Sequence, residues 1–125
     1  MCMYSLSRPE VIRILDELQR KGVRIRIILD KSQNDRMDSS LFKLAGLGLN
    51  VTTNNFKNKL MHHKFVVIDD RVLMNGSLNF TTQAVSRNDE NLVVTRSRRI
   101  VAAFSNKFDA LWAEYCGNQI DQGLA

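Results

Sequence analysis

The sequence predicts an α/β fold, a mixed central sheet enclosed between helices, built as a single domain over residues 1–125. Two observations predict it. Stretches with helical periodicity alternate with short strand-like runs along the whole chain. The length of 125 residues is that of one domain, and 44% hydrophobic with 25% charged residues supply one core and an ordinary polar surface.

Each element follows from local pattern. Cys2-Met3-Tyr4 reads as the tail of a strand whose beginning is missing, so the chain is expected to be N-terminally truncated. Ser7-Arg8-Pro9-Glu10 has the spacing of a capping box, and the sole proline falls at the helix start. Val11, Ile14, Leu15 and Leu18 form an amphipathic stripe, and Gly22 is placed to end that helix. Residues 23–29 alternate and then become fully apolar, which predicts a strand with one end buried. Residues 30–38 are polar and predict a loop. Ser39 or Ser40 can cap a short helix through Leu44, ended by Gly46. Residues 49–53 predict a second strand, with a polar Asn/Lys stretch running to Lys59. Residues 61–68 and 71–74 form a strand-turn-strand joined at Asp69-Asp70. Residues 76–85 predict a loop with room for one helical turn, and 91–95 a further strand. Ser97 caps a long helix whose core face is Ile100, Val101, Phe104, Phe108, Leu111, Trp112 and Tyr115.

Composition removes several function classes. No apolar run exceeds four or five residues, as at 65–68, whereas a membrane span needs about 20. No basic-then-apolar signal segment opens the chain. The two cysteines, Cys2 and Cys116, sit at opposite ends, so there is no disulfide framework and no Cys-x-x-Cys site. Walker A and Gly-x-Gly-x-x-Gly loops are absent. The net charge of +5 is unevenly placed. Residues 1–62 carry 11 basic against 6 acidic side chains, and residues 63–125 carry 7 of each. That bias suits an anionic partner: nucleic acid, phospholipid headgroups or another phosphate ester.

One segment carries chemistry. His62, Lys64 and Asp69, followed by Gly76, Ser77 and Asn79, have the spacing H-x-K-x4-D-x6-G-S-x-N. On a strand, residues two apart share a face, so His62 and Lys64 point together while His63 points the other way. The imidazole can attack phosphorus and the ammonium can hold anionic oxygens. Ser77 and Asn79 offer neutral donors to the same oxygens, and Gly76 lets backbone approach closely. Lys57 and Lys59, just upstream, are candidates for holding a phosphate backbone. Arg96, Arg98 and Arg99 read as a solvated basic cluster.

This pattern resembles the HKD motif of the phospholipase D superfamily, and Glu90 in Asn88-Asp89-Glu90-Asn91 matches an acidic residue those proteins carry after Gly-Ser-x-Asn. Residues 2–7, 60–65 and 76–79 resemble more narrowly the single-motif branch of mitochondrial cardiolipin hydrolases, the Zucchini-type endoribonucleases. Phe80 stands where that branch usually has Trp. The resemblance implies a phospholipase D-like α-β-α sandwich and a homodimer that pairs two HKD motifs. It implies no metal and no cofactor. His62 of one subunit forms a phosphohistidine, and His62 of the other protonates the leaving oxygen and then activates water. Lys64, Asn79 and Ser77 stabilise the phosphoryl group, Glu90 orients His62, and Asp69 positions the basic residues and the turn. The implied substrate is single-stranded RNA, in the manner of piRNA biogenesis; the alternative is cardiolipin, giving phosphatidate. A further alternative is an inactive truncated homologue that binds anionic polymers. The full-length relative is expected on the cytosolic face of the mitochondrial outer membrane through an upstream anchor; this chain alone reads as soluble and intracellular.

Overall fold

A computed structural model describes residues 1–34, 36–37, 39–55 and 58–118. Among the described residues six strands form one sheet: β1 (Cys2–Met3), β2 (Arg26–Leu29), β3 (Asn50–Thr53), β4 (Lys64–Ile68), β5 (Val72–Gly76) and β6 (Leu92–Thr95). Their spatial order is β3-β2-β1-β4-β5-β6. The β3-β2-β1 half is parallel and the β4-β5-β6 half is an antiparallel meander, with β1 antiparallel to β4. Four α-helices of the described residues accompany them: α1 (Pro9–Arg20), α2 (Ser40–Gly46), α3 (Thr82–Arg87) and α4 (Arg98–Tyr115). The expected mixed sheet between helices is the one observed.

Two cores lie on opposite faces of the sheet. On one face α4 brings Val101, Phe108, Leu111 and Tyr115 against Cys2, Ile28, Phe65 and Leu73. On the other, α1 and α2 bring Leu15, Leu41 and Leu44 against Met3, Ile27, Leu29 and Val51. That second core includes no residue of β4, β5 or β6. Half of one sheet face is therefore left uncovered by the described helices. Cross-strand pairing puts Val66 beside Met74 and Val94, and Ile68 beside Val72, on that face. Ile68 is 44% exposed, Leu92 42% and Val94 60%.

Several local expectations are corrected. Ser7 is not the helix cap: Arg8 is, without a side-chain cap bond, and the amides of Ser7 and Arg8 both donate to the carbonyl of Phe80 at 3.0 Å. The pull of that distant carbonyl displaces the capping box. Of the predicted α1 stripe, Val11 and Leu15 reach the core, whereas Ile14 and Leu18 remain exposed. The strand expected over 23–29 forms only as Arg26–Leu29, and Asn75 and Gly76 belong to β5 rather than to a loop. The helical turn expected within 76–85 is α3, capped by Thr81, whose hydroxyl accepts from the Ala84 amide at 3.1 Å. Gly22, with φ of 91°, ends α1 as expected, because a left-handed residue after the helix is cheapest as glycine.

Candidate active site

His62 lies on the extended segment that leads into β4, on the uncovered side of the sheet. The Tyr4 amide donates to the His63 carbonyl at 2.9 Å, which prolongs the β1–β4 ladder and holds this segment extended. Strand alternation then puts His62 and Lys64 on one face, as expected. Lys64 Nζ sits 3.0 Å from His62 Nδ1 and donates to the His62 carbonyl at 2.7 Å. His63 turns the other way, its ring edge-on to Phe65 at 5.4 Å. Burial lowers the His63 pKa, and Lys107 lowers it further. Burial likewise lowers the Lys64 pKa, with Glu90 acting against it.

The loop after β5 faces this pair. The Ser77 hydroxyl donates to Glu90 Oε2 at 2.5 Å and accepts from the Asn91 amide at 3.0 Å. Its proton is therefore committed to Glu90 rather than offered to an incoming phosphate. Asn88 Nδ2 donates to the other Glu90 oxygen at 3.1 Å. These two bonds, Ser77 first, hold the Glu90 carboxyl below its usual range, and Lys64 adds to the effect. Both Glu90 oxygens are thus engaged by Ser77 and Asn88. The direct Glu90–His62 bond implied by the family resemblance is not the arrangement observed, and Lys64 occupies Nδ1 instead. The amide oxygen of Asn79 accepts from the Ser5 amide at 3.1 Å. That bond fixes the side chain so that its NH2 remains the donor available to a ligand.

Gly76 has a structural requirement of its own. A Cβ there would lie 2.0 Å from the Asn91 carbonyl oxygen, so only glycine lets β6 approach β5 at the point where Ser77 meets Glu90. Asp69 is not brought to the site. It sits in the β4–β5 turn at φ of 54°, beside Asp70 at 53°, with the turn closed by the Arg71 amide on the Ile68 carbonyl at 3.0 Å. Seven residues of extended chain put it roughly 20 Å from His62. Lys59 lies on the exposed approach to His62, and its carbonyl accepts from Asn54 Nδ2 at 2.9 Å. Lys57 lies outside the described residues.

Tyr4 was not singled out by spacing. Its ring centroid is 4.4 Å from that of His62, Lys64 Nζ is 5.2 Å from the ring centre, and its hydroxyl accepts from Gln33 at 3.0 Å. It walls the site with an aromatic face. The signal was present, since Tyr4 stands in the 2–7 stretch, but only pairing of β1 with β4 brings it there. A cavity of about 1000 Å³ lies elsewhere, lined by residues such as Arg24, Arg26, Asp69, Ser105 and Asp109, and His62 does not border it. His62 itself is exposed.

Comparisons with known proteins bear on this arrangement. The sequence model of the family described as "Cardiolipin synthase, PLD-like domain" matches residues 1–112. The mitochondrial cardiolipin hydrolase of Chlamydomonas reinhardtii is 38% identical over 112 residues, covering 90% of this chain and 50% of that protein. That of Homo sapiens is 34% identical over 115 residues, covering 92% of this chain and 45% of that protein. The chain thus spans about half the length of these relatives. Among solved structures, Nuc from Salmonella typhimurium, a phospholipase D family member, matches with a TM-score of 0.81 at 27% identity, covering 92% of this chain and 77% of that one.

Proposed function

The chain belongs to the phospholipase D-like family, and from that premise we propose that it is a phosphodiesterase working through a covalent phosphohistidine at His62, without a metal or other cofactor. The observation that carries the reading is the meeting of His62 with Lys64, 3.0 Å apart on one strand face, opposite the Ser77–Glu90 pair. An imidazole supplies the nucleophile and a lysine the positive charge for the phosphoryl oxygens.

The reaction needs two imidazoles. One His62 nitrogen forms a bond to phosphorus as the bond to the leaving oxygen breaks, and that oxygen takes a proton from a second imidazole. The second imidazole then takes a proton from water, whose oxygen attacks phosphorus and frees the first. His63 faces the α4 side, and we take the second imidazole to be His62 of another copy, as the resemblance to the single-motif branch implies. The uncovered apolar half-sheet of Val66, Ile68, Val72, Met74, Leu92 and Val94 continues from the His62–Lys64 face and supports such a homodimer. Hydrogen-bond chemistry constrains both roles. The proton donor is an imidazolium, with a proton on each ring nitrogen, and so needs an acceptor rather than the Lys64 ammonium at Nδ1. The nucleophilic state carries its proton on Nδ1 and needs an acceptor there. Glu90, electrostatically coupled to Lys64, is that acceptor once Ser77 or Asn88 releases it.

For substrate, the relatives' names favour cardiolipin and a mitochondrial setting, and our proposal is cleavage to phosphatidate at the cytosolic face of the outer membrane. Among the described residues no helix is long and apolar enough to cross a membrane. A second reading, single-stranded RNA, is favoured by the basic first half of the chain and by Tyr4, whose ring stands at the site as a base-stacking surface. The test is product release in EDTA from cardiolipin vesicles and from 5′-labelled single-stranded RNA, wild type beside His62→Ala. Turnover that survives EDTA and is lost in the variant is expected, and its substrate decides the class. Salt-sensitive binding of either substrate without turnover, the same in both proteins, would refute the enzymatic reading in favour of an anion-binding homologue.

A further inference from the structure

We infer that Asp30 is a positioning residue for His62, a role that rests on the phosphodiesterase reading above. Asp30 directly follows β2 on the parallel side of the sheet, far in sequence from the HKD segment. Its residue is fully buried, at 0% exposure. A carboxylate in that position is costly unless its oxygens are satisfied.

They are. Oδ1 accepts from the Met61 amide at 2.7 Å and from Asn54 Nδ2 at 3.3 Å. Oδ2 accepts from the Ser32 amide at 3.0 Å and from the Ser32 hydroxyl. Met61 immediately precedes His62, so the carboxylate grips the main chain one residue before the nucleophile. Asn54 closes the same loop from its other end. It donates to the Lys59 carbonyl at 2.9 Å and accepts from the Lys31 amide at 2.8 Å. Lys59 and Met61, on the approach to His62, are thereby pinned to the end of β2. Met61 itself is buried in the α4-side core, which fixes the side chain while Asp30 fixes the amide. Together they set the height and direction of the His62 ring relative to Lys64 and Tyr4.

Asparagine is the informative replacement. Whichever way the amide is turned, an NH2 faces either the Met61 and Asn54 donors or the Ser32 donors, so one acceptor contact becomes a donor–donor clash at nearly constant volume. Asn34 is the control. It braces the same strand end, donating to the Asp30 carbonyl at 2.8 Å and accepting from the Leu41 amide at 3.1 Å, and neither bond reaches Lys59 or Met61.

The experiment measures kcat and KM on bis(p-nitrophenyl) phosphate, melting temperature, and the NMR signals of the Met61 amide and the His62 ring. Asp30→Asn is expected to lower kcat by about tenfold or more, with KM changed less than about threefold, because misaligning a reacting group by a fraction of an ångström removes rate rather than binding. Asn34→Ala is expected to lower the melting temperature comparably while leaving kcat within about twofold. If Asp30→Asn does not fold, Asn54→Ala, which retains the carboxylate, is expected to lower kcat in the same way. Unchanged kcat in the folded Asp30 or Asn54 variant, or an equal kcat loss in Asn34→Ala, overturns the inference. If the wild type proves inactive, the phosphodiesterase reading fails by itself. The spectra still decide the positioning: Met61 and His62 signals that move in Asp30→Asn but not in Asn34→Ala sustain it, and unmoved signals overturn it.

Discussion

Gly76→Ala is a one-carbon perturbation whose cost follows from distances. The added Cβ would meet the Asn91 carbonyl oxygen at 2.0 Å, its carbon at 2.8 Å and Leu92 Cα at 3.0 Å. Ordinary contact begins at 3.4 Å, so β6 must retreat by about 1.4 Å. The obstacle is backbone and cannot rotate aside. Two bonds are strained by that retreat: Ser77 N to the Asn91 carbonyl and Asn91 N to the Ser77 hydroxyl, each 3.0 Å. Their loss costs about 1 kcal/mol each. Overpacking adds about 1–3 kcal/mol, for a sum of about 3–5. With an unfolding entropy of about 2.1 cal/mol/K per residue over 125 residues, that lowers the melting temperature by about 10–20 °C. Activity falls too, because Ser77 and Glu90 move with β6. Differential scanning fluorimetry beside the phosphodiesterase assay measures both. Gly46→Ala is the internal comparison: no atom stands within 4 Å of its Cβ, and alanine in the last turn of α2 is expected to be neutral or stabilising by up to about 1 kcal/mol. A Gly76→Ala melting temperature within about 3 °C of wild type, with normal activity, would refute the close-approach argument.

Other expectations are independent of it. Asp69→Asn keeps a residue type that tolerates positive φ and lies far from His62, so kcat should stay within about twofold; a large loss at unchanged stability would return Asp69 to the site. The Glu90 carboxyl is held low by Ser77 and Asn88. Its contribution is therefore present above its unfolded value of 4.5 and is lost as pH falls through the lower folded value. A melting-temperature profile from pH 6 downward should be flatter in this window for Glu90→Gln than for wild type, and parallel curves would contradict the assignment. Burial pushes the Cys2 thiol up to about 12, whereas Cys116 is exposed. Native protein should react with one equivalent of a thiol reagent such as DTNB and denatured protein with two; two fast equivalents in the native state would mean that β1 is not packed as described.

The His62–Lys64 pair was legible because strand periodicity alone dictates that residues two apart share a face. The cores were legible in the same way: Leu15, and the α4 series of Val101, Phe108, Leu111 and Tyr115, keep their predicted places. What escaped depends on partners distant in sequence. Ser7 has the local pattern of a cap, but the Phe80 carbonyl takes its amide. Ser77 looks like an outward donor until Glu90 is known to sit opposite. Asp30 carries no motif, and Tyr4 only its place in the 2–7 stretch, which assigns it no role. They matter only because β1 lies between β2 and β4, and strand order is not written in local spacing.

That position makes β1 a keystone. The parallel strands with their linking helices, and the antiparallel meander, each close over short stretches of chain. Within the described sheet β1 is the strand that joins them, by two residue pairs on either side. The two halves can therefore form early, while their union awaits a contact of long sequence separation, which is the slow step in a topology of this kind. His62 belongs to one half; Asp30 belongs to the other. A folding intermediate that has both halves but not the keystone already contains the residues of the motif, and its nucleophile is still unaligned. Recovery of activity during refolding should accordingly trail recovery of secondary structure.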